Sequence, residues 1–327
     1  MSIKVKVNLP FDVHRALEND MKSFEFVKKD GNINKNKFVN HLLKNYYQTF
    51  SLQEDTLMKK IKSILKKDTD SKTSLQLIKL LQQNDYEDKY YNDYDLQFII
   101  NKENEKNFKI IEKQYLFNRS ISQYFREMFI SYASYKQDKR EVLLFKDIAT
   151  KINEAIANKK RILIYGSNEI LEFEPYALDQ TKEELYNYLL GILVDKNNKR
   201  QILSRKLYKI DEVIILNEDV TFSDEEEILL TKTMKYGAQF PINQIGEIKL
   251  ELTKRGEQFY NKFYLNRPPY IEKNNNVYTF DCSFSQLEFY FFKFGEDVKI
   301  LSPENLKNRF SKKYYDALQR YQKKKMH

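Results

Sequence analysis

The chain has 327 residues, 41% of them hydrophobic, with 56 Lys and Arg against 47 Asp and Glu and a formal net charge of +9. That length supports two or three domains with real cores, and the basic surplus favours polyanionic partners. The lone cysteine, Cys282, excludes an internal disulfide; there is no signal-like start and no apolar run of about 20 residues, so a cytoplasmic, non-membrane protein is expected.

Residues 3–8 alternate, with Ile3, Val5 and Val7 on one face and Lys4, Lys6 and Asn8 on the other. This is the period-two pattern of a half-buried strand, ended at Leu9-Pro10 because proline cannot donate to a ladder. A helix follows from about Asp12 to Phe26, striped by Val13, Leu17, Met21 and Phe24, and Gly31-Asn32 breaks it. A second helix begins near Asn34 and carries Phe38, Val39, Leu42, Leu43 and Tyr46. So short a strand needs a partner. Strand, helix, loop and helix in residues 1–50 resemble the ribbon-helix-helix repressors. The resemblance implies that paired strands enter a major groove with Lys4, Lys6 and Asn8 facing the bases. Asn34 and Lys35, at the second helix N-terminus, would offer backbone N–H groups to a phosphate. A packing module with solvated lysines is the alternative.

Residues 51–93 read as a helical linker: Ser51 to Lys67, opened by a Ser51/Glu54 capping box, then Ser71 to Gln83 and a polar stretch from Asn84 to Asn92. The first pattern then returns in degenerate form over 94–145. Leu96, Phe98 and Ile100 alternate with Gln97, Ile99 and Asn101, and Phe108, Ile111 and Tyr115 form a helical stripe. Ser120 and Gln123 make another capping-box pattern, and Tyr124, Phe125, Met128, Phe129 and Tyr132 answer Phe38, Val39, Leu42, Leu43 and Tyr46. Strand 1 therefore has a candidate partner in its own chain. Pairing between two chains of a homodimer stays open, as does an unrelated helical linker.

Over 146–240 a helix from 141 to 160, striped by Ile148, Ile152, Ala155 and Ile156, leads into short strands. These are Arg161–Tyr165, Leu171–Leu178, Asn187–Val194 and a bent or broken Gln201–Leu216, which together suggest a small barrel. Asn187-Tyr188-Leu189 and Arg205-Lys206-Leu207-Tyr208-Lys209-Ile210 resemble the WYL domain, an Sm/SH3-like barrel of bacterial regulators. Asn187 stands where that family has tryptophan, and Lys209 where it has arginine; lysine cannot form the bidentate fork of arginine. From Arg161 to Val220 there are eight basic and eleven acidic residues, yet Lys196 to Ile210 holds six bases and no acid. Arg205 and Lys209 are expected on one strand face beside Tyr188. With Arg200 they make a candidate site for single-stranded nucleic acid or a phosphorylated ligand. A solvated edge strand is the alternative.

A helix from Asp224 to Tyr236 is stopped by Gly237. Residues 241–327 then alternate strand and helix. A strand from Ile245 to Leu252 leads to a helix capped by Thr253 and running to Phe263, then the turn Arg267-Pro268-Pro269. A strand from Val277 to Cys282 precedes a helix opened by Ser285/Glu288 and closed at Gly295. The strand Val298–Leu301 and a helix begun by Ser302-Pro303 complete the order. Gly295 to Phe310 is the stretch most similar to the C-terminal extension of WYL regulators, which implies a ferredoxin-like fold. Pro303 to His327 carries eight bases and two acids.

Catalytic chemistry is not legible. His14, His41 and His327 are scattered, and with one cysteine they give no zinc spacing. The seven glycines form neither GxGxxG nor a Walker loop, and Tyr165-Gly166-Ser167-Asn168 lacks the glycines of a nucleophile elbow. The expectation is an α+β, cofactor-free, non-enzymatic protein: a nucleic-acid-binding regulator of transcriptional type with a WYL sensing domain, binding DNA or single-stranded RNA. The arrangement also resembles the WYL accessory proteins of type VI-D CRISPR systems, which implies the alternative of a single-stranded-RNA-binding partner of a CRISPR RNase effector. An oligomerisation scaffold is the third reading.

Overall fold

Strands β1 (Ile3–Leu9) and β2 (Tyr94–Ile100) pair antiparallel within the chain, with Ile3 opposite Ile100, Val5 opposite Phe98 and Val7 opposite Leu96. Val5, Val7, Leu96, Phe98 and Ile100 are buried while the residues between them are exposed. The alternation fixes the register, since a one-residue slip would turn the apolar set outward. The ribbon thus needs no second copy to complete it. The computed structural model describes residues 3–65, 73, 77, 94–166, 169–180, 185–244 and 246–322.

Helix α1 (Phe11–Ser23) buries Val13, Leu17 and Met21. Helix α2 (Lys35–Leu65) runs unbroken through the expected boundary at Ser51. Ser51 and Glu54 do not cap a helix. Ser51 shares a 2.8 Å hydrogen bond with the Tyr124 hydroxyl, and Glu54 receives both terminal nitrogens of Arg119 at 2.9 and 2.6 Å. Their spacing imitates a capping box because both lie on the buried face of one helix. Apart from residues 73 and 77, the helix expected at 71–83 and the polar stretch at 84–92 lie outside the described residues.

A 3-10 turn, Lys102–Asn104, leads into α3 (Glu105–Ile110), which continues as a π turn over Ile111–Tyr115. Helix α4 (Ile121–Ala133) is capped by Ser120, whose hydroxyl accepts the Gln123 N–H at 3.2 Å. The helix expected over 141–160 is two helices, α5 (Gln137–Leu144) and α6 (Lys146–Ala157), separated at Phe145. Both apolar sets of the repeat, Phe38 to Tyr46 and Tyr124 to Tyr132, are fully buried at their stripe positions.

The repeat is also visible in how the ribbon edges close. The Asn36 side-chain oxygen accepts the Ile99 N–H at 3.0 Å, and the Ser122 hydroxyl donates to the Lys6 carbonyl at 2.7 Å. Asn36 and Ser122 each stand two residues before the first matched apolar residue of their helices, Phe38 and Tyr124. Lys6 and Ile99 are likewise counterparts in the two strands. A pseudo-twofold through the Val5–Phe98 pair therefore relates the halves. Each strand edge, an open template if left bare, is met by a helix side chain. Asn40 reinforces β2, donating to the Ile99 carbonyl at 2.8 Å and accepting the Asn101 N–H at 2.9 Å.

Two compact units emerge, Met1–Thr150 with Leu207–Lys209, and Lys151–Lys206 with Ile210–His327. The first contains, besides Arg119–Glu54, a buried Asp20–Arg140 fork at 2.6 and 2.8 Å, with the Tyr132 hydroxyl donating to Asp20 at 2.9 Å.

In the second unit, β3 (Lys160–Gly166), β4 (Glu169–Gln180), β5 (Asn187–Val194), β6 (Arg200–Lys206) and β7 (Glu212–Asp219) form one sheet ordered β6-β5-β4-β3-β7. The long strand expected at 201–216 is broken by a 3-10 turn, Leu207–Lys209. Gly191 is required where β5 crosses a β4 irregularity, because a Cβ there would lie 2.1 Å from the Glu174 carbonyl oxygen. Helix α7 (Asp224–Tyr236), with a Ser223/Glu226 capping box and Gly237 as its stop, packs Leu229 and Leu230 on Leu190, Ile192 and Ile202.

Beyond it come β8 (Ile248–Leu252), α8 (Lys254–Lys262), β9 (Tyr270–Asn274), β10 (Val277–Phe280), α9 (Phe284–Phe291), β11 (Val298–Ser302) and α10 (Glu304–Gln322). Their sheet is antiparallel and ordered β11-β8-β10-β9. Strand β9 was not expected: its five residues are all exposed, so it carries no burial alternation to read. The cap of α9 is Ser283, which accepts the Gln286 N–H at 3.0 Å, rather than Ser285. No described helix is long and apolar enough to cross a membrane.

Candidate nucleic-acid interface

The outer ribbon face presents Lys4, Lys6 and Asn8 from β1 against Ile99, Gln97 and Asp95 from β2. All six are exposed, which places the β1 residues as their alternation predicts. Asp95 was not anticipated in this face. It pairs with Lys6 at 2.6 Å, but with side chains 57% and 46% exposed this bond is open to water. Such a pair contributes little and can be exchanged for a phosphate. Lys4 has no carboxylate partner among the described residues. Asn34 acts as a helix cap, its side-chain oxygen accepting the Lys37 N–H at 3.1 Å, so that donor is already used; Lys35 beside it is half-buried.

The candidate residues on and after β5 and β6 are not brought together as expected. Tyr188 lies opposite Lys206 and Leu189 opposite Arg205, in a β5–β6 ladder without a register shift. Residues directly opposite share a face and successive residues alternate, so Tyr188 and Arg205 point to opposite sides of the sheet. Lys209 is not on β6 at all. It ends the 3-10 turn and groups with the first unit, where it pairs with Glu25. The expected even spacing from Arg205 to Lys209 fails because the strand stops at Lys206.

Arg200 is fully engaged. Its Nε donates to Glu226 at 2.6 Å and its terminal nitrogens to buried Glu174 at 3.0 and 2.7 Å. The hydrogen bonds it donates to Glu226 and Glu174 raise its pKa further above the usual arginine value. Arg205 pairs with Glu169. Tyr188 is only 6% exposed. The aromatic contact in this region belongs instead to Lys206, whose ammonium sits 3.9 Å from the Tyr186 ring centre and 5.7 Å from that of Tyr188. Lys206 lies in the basic run read from the sequence but was not among the candidate site residues, and Tyr186 was not singled out.

Among the described residues no group of His, Cys, Asp and Glu could hold a metal ion. Burial pushes the Cys282 thiol up to about 12, far from a reactive thiolate. His41 lies between the rings of Phe26 and Phe145, and burial lowers it to about 4. Ser167 and Asn168 lie outside the described residues, as does His327.

No protein-family model and no curated protein matches this chain. A crystal structure described as that of a CRISPR Cas-related protein superposes with a TM-score of 0.60 at 18% identity, covering 99% of this chain and 95% of that one. Proteasome accessory factor B/C (PafBC) of Arthrobacter aurescens gives a TM-score of 0.22 at 15% identity, over 49% of this chain and 25% of that one. The first likeness establishes a shared fold along essentially the whole chain. The second is too loose to do so.

Proposed function

We propose that this protein is a non-enzymatic nucleic-acid-binding regulator of the cytoplasm. Its reading element is a ribbon-helix-helix-like module completed within one chain. The observation that carries this reading is the self-paired ribbon, with its inner face buried, its edges occupied by Asn36 and Ser122, and Lys4, Lys6 and Asn8 exposed together. A two-stranded ribbon fits a major groove, and exposed lysines gain affinity by releasing counterions.

The remaining parts suit a WYL-type regulator. Five antiparallel strands with a 3-10 turn before the last fit an Sm/SH3-like barrel. The β-α-β-β-α-β order with sheet order β11-β8-β10-β9 fits a ferredoxin-like extension. A second reading, a single-stranded-RNA-binding accessory of a CRISPR effector, is favoured by the fold shared with a CRISPR Cas-related protein.

The test is binding of short duplex DNA and matched single-stranded RNA across about 50 to about 200 mM salt. Steeply salt-dependent binding supports the proposal, and the preferred probe separates the two readings. Absence of binding to both at the lowest salt overturns it.

A further inference from the structure

The first turns after β2 carry lysines at 102, 106, 109 and 113, a four-three-four spacing that places them on one helical face. Phe108 and Ile111 hold the opposite face in the core. All four lysines are exposed, and among the described residues none of their ammonium groups meets a carboxylate. Glu103 is drawn away to Lys44, at 3.5 Å. The four lysines line an open cleft of about 440 Å³ together with Glu105, Ile110 and Gln114.

We propose that this face is a second contact for the phosphate backbone of the nucleic acid, and this rests on the nucleic-acid reading above. Four ammonium groups spread over about 16 Å of helix suit a ligand whose negative charge repeats along its length. A duplex strand carries one charge about every 3.4 Å of axis. Among the described residues that line the cleft, four of seven are lysines and Ile110 is the one apolar residue. Lysine is a mobile point charge, suited to a phosphate whose exact position varies.

The pseudo-twofold makes the feature one-sided. The counterpart of α3 in the first half is α1, where Asp12 and Glu18 offset Arg15 and Lys22. On the ribbon the bias is reversed, with Lys4 and Lys6 on β1 and Asp95 on β2. The first half therefore supplies a basic strand and the second a basic helix. Such a footprint binds an asymmetric site in one orientation, unlike that of two identical chains.

The experiment uses the full chain with Lys102, Lys106, Lys109 and Lys113 all changed to Gln, beside a variant with all four changed to Arg. Duplex DNA and matched single-stranded RNA are the probes, with poly-L-glutamate as competitor. The Gln variant should melt like wild type, lose at least about tenfold in affinity, and show a salt slope shallower by roughly 2–4. The Arg variant should retain wild-type binding. Unchanged affinity and slope in the folded Gln variant, while Lys4→Ala with Lys6→Ala weakens binding, would overturn the stripe alone. No binding by wild type to either probe overturns both this inference and the proposed function. Competition by poly-L-glutamate equal, charge for charge, to that of nucleic acid overturns the phosphate assignment.

Discussion

Strands β1 and β6 are both short, antiparallel and basic, but their surroundings treat the charges differently. The exposed face of β1 meets one acid, Asp95, across the ribbon, and Lys4 stays without a carboxylate partner among the described residues. On β6, Arg200 is held by Glu174 and Glu226, and Arg205 by Glu169, all distant in sequence. A basic run is available to a ligand only if the elements folded against it bring no carboxylates. The same composition gives an open face in one place and a closed ion-pair network in the other.

The comparison is sharpened most by charges that are wholly structural. Asp20→Ala should destabilise the protein by about 3–5 kcal/mol, because it strips the buried Arg140 guanidinium of its paired carboxylate. Glu174→Ala should cost less, about 1–2 kcal/mol, since Arg161 and Arg200 keep Glu172 and Glu226 near the surface. Urea unfolding of both variants measures the difference, and equal losses would contradict the distinction between interior and surface networks.

Acid should act next. His41 is neutral when folded, its pKa lowered from 6.5 to about 4 by burial. The unfolded chain takes up this proton first, so the contribution is complete above pH 6.5 and is lost as pH falls through about 4. At about 1.4 kcal/mol per pKa unit this amounts to roughly 3 kcal/mol. His41→Leu should flatten that part of the pH–stability curve; an unchanged slope between these limits removes His41 as its source.

Smaller effects separate the two strands directly. Lys4→Ala with Lys6→Ala should weaken nucleic-acid binding about tenfold, near 1.4 kcal/mol, and leave stability within about 0.5 kcal/mol. Arg205→Ala should leave nucleic-acid affinity unchanged and cost about 0–1 kcal/mol of stability, since its pair with Glu169 is part-exposed. A tenfold affinity loss from Arg205→Ala at normal stability would break the comparison and restore β6 as a binding surface.

Local chemistry was legible in the sequence. Alternation at 3–8 and 96–101 marked both ribbon strands, the three-and-four spacing marked the buried stripes of α2 and α4, and Gly237 marked the end of α7. The lysine spacing at 102, 106, 109 and 113 was equally legible but was overshadowed by the apolar stripe of Phe108 and Ile111. Tertiary structure alone decided that Ser51 and Glu54 meet Tyr124 and Arg119 inside one long helix, that β6 stops before Lys209, and that Glu169, Glu174 and Glu226 neutralise the acid-free run. Periodicity and capping involve residues a few positions apart, so backbone geometry writes them into the sequence. Neutralising a charge requires a carboxylate brought from tens of residues away, and only the packing of whole elements determines which one arrives.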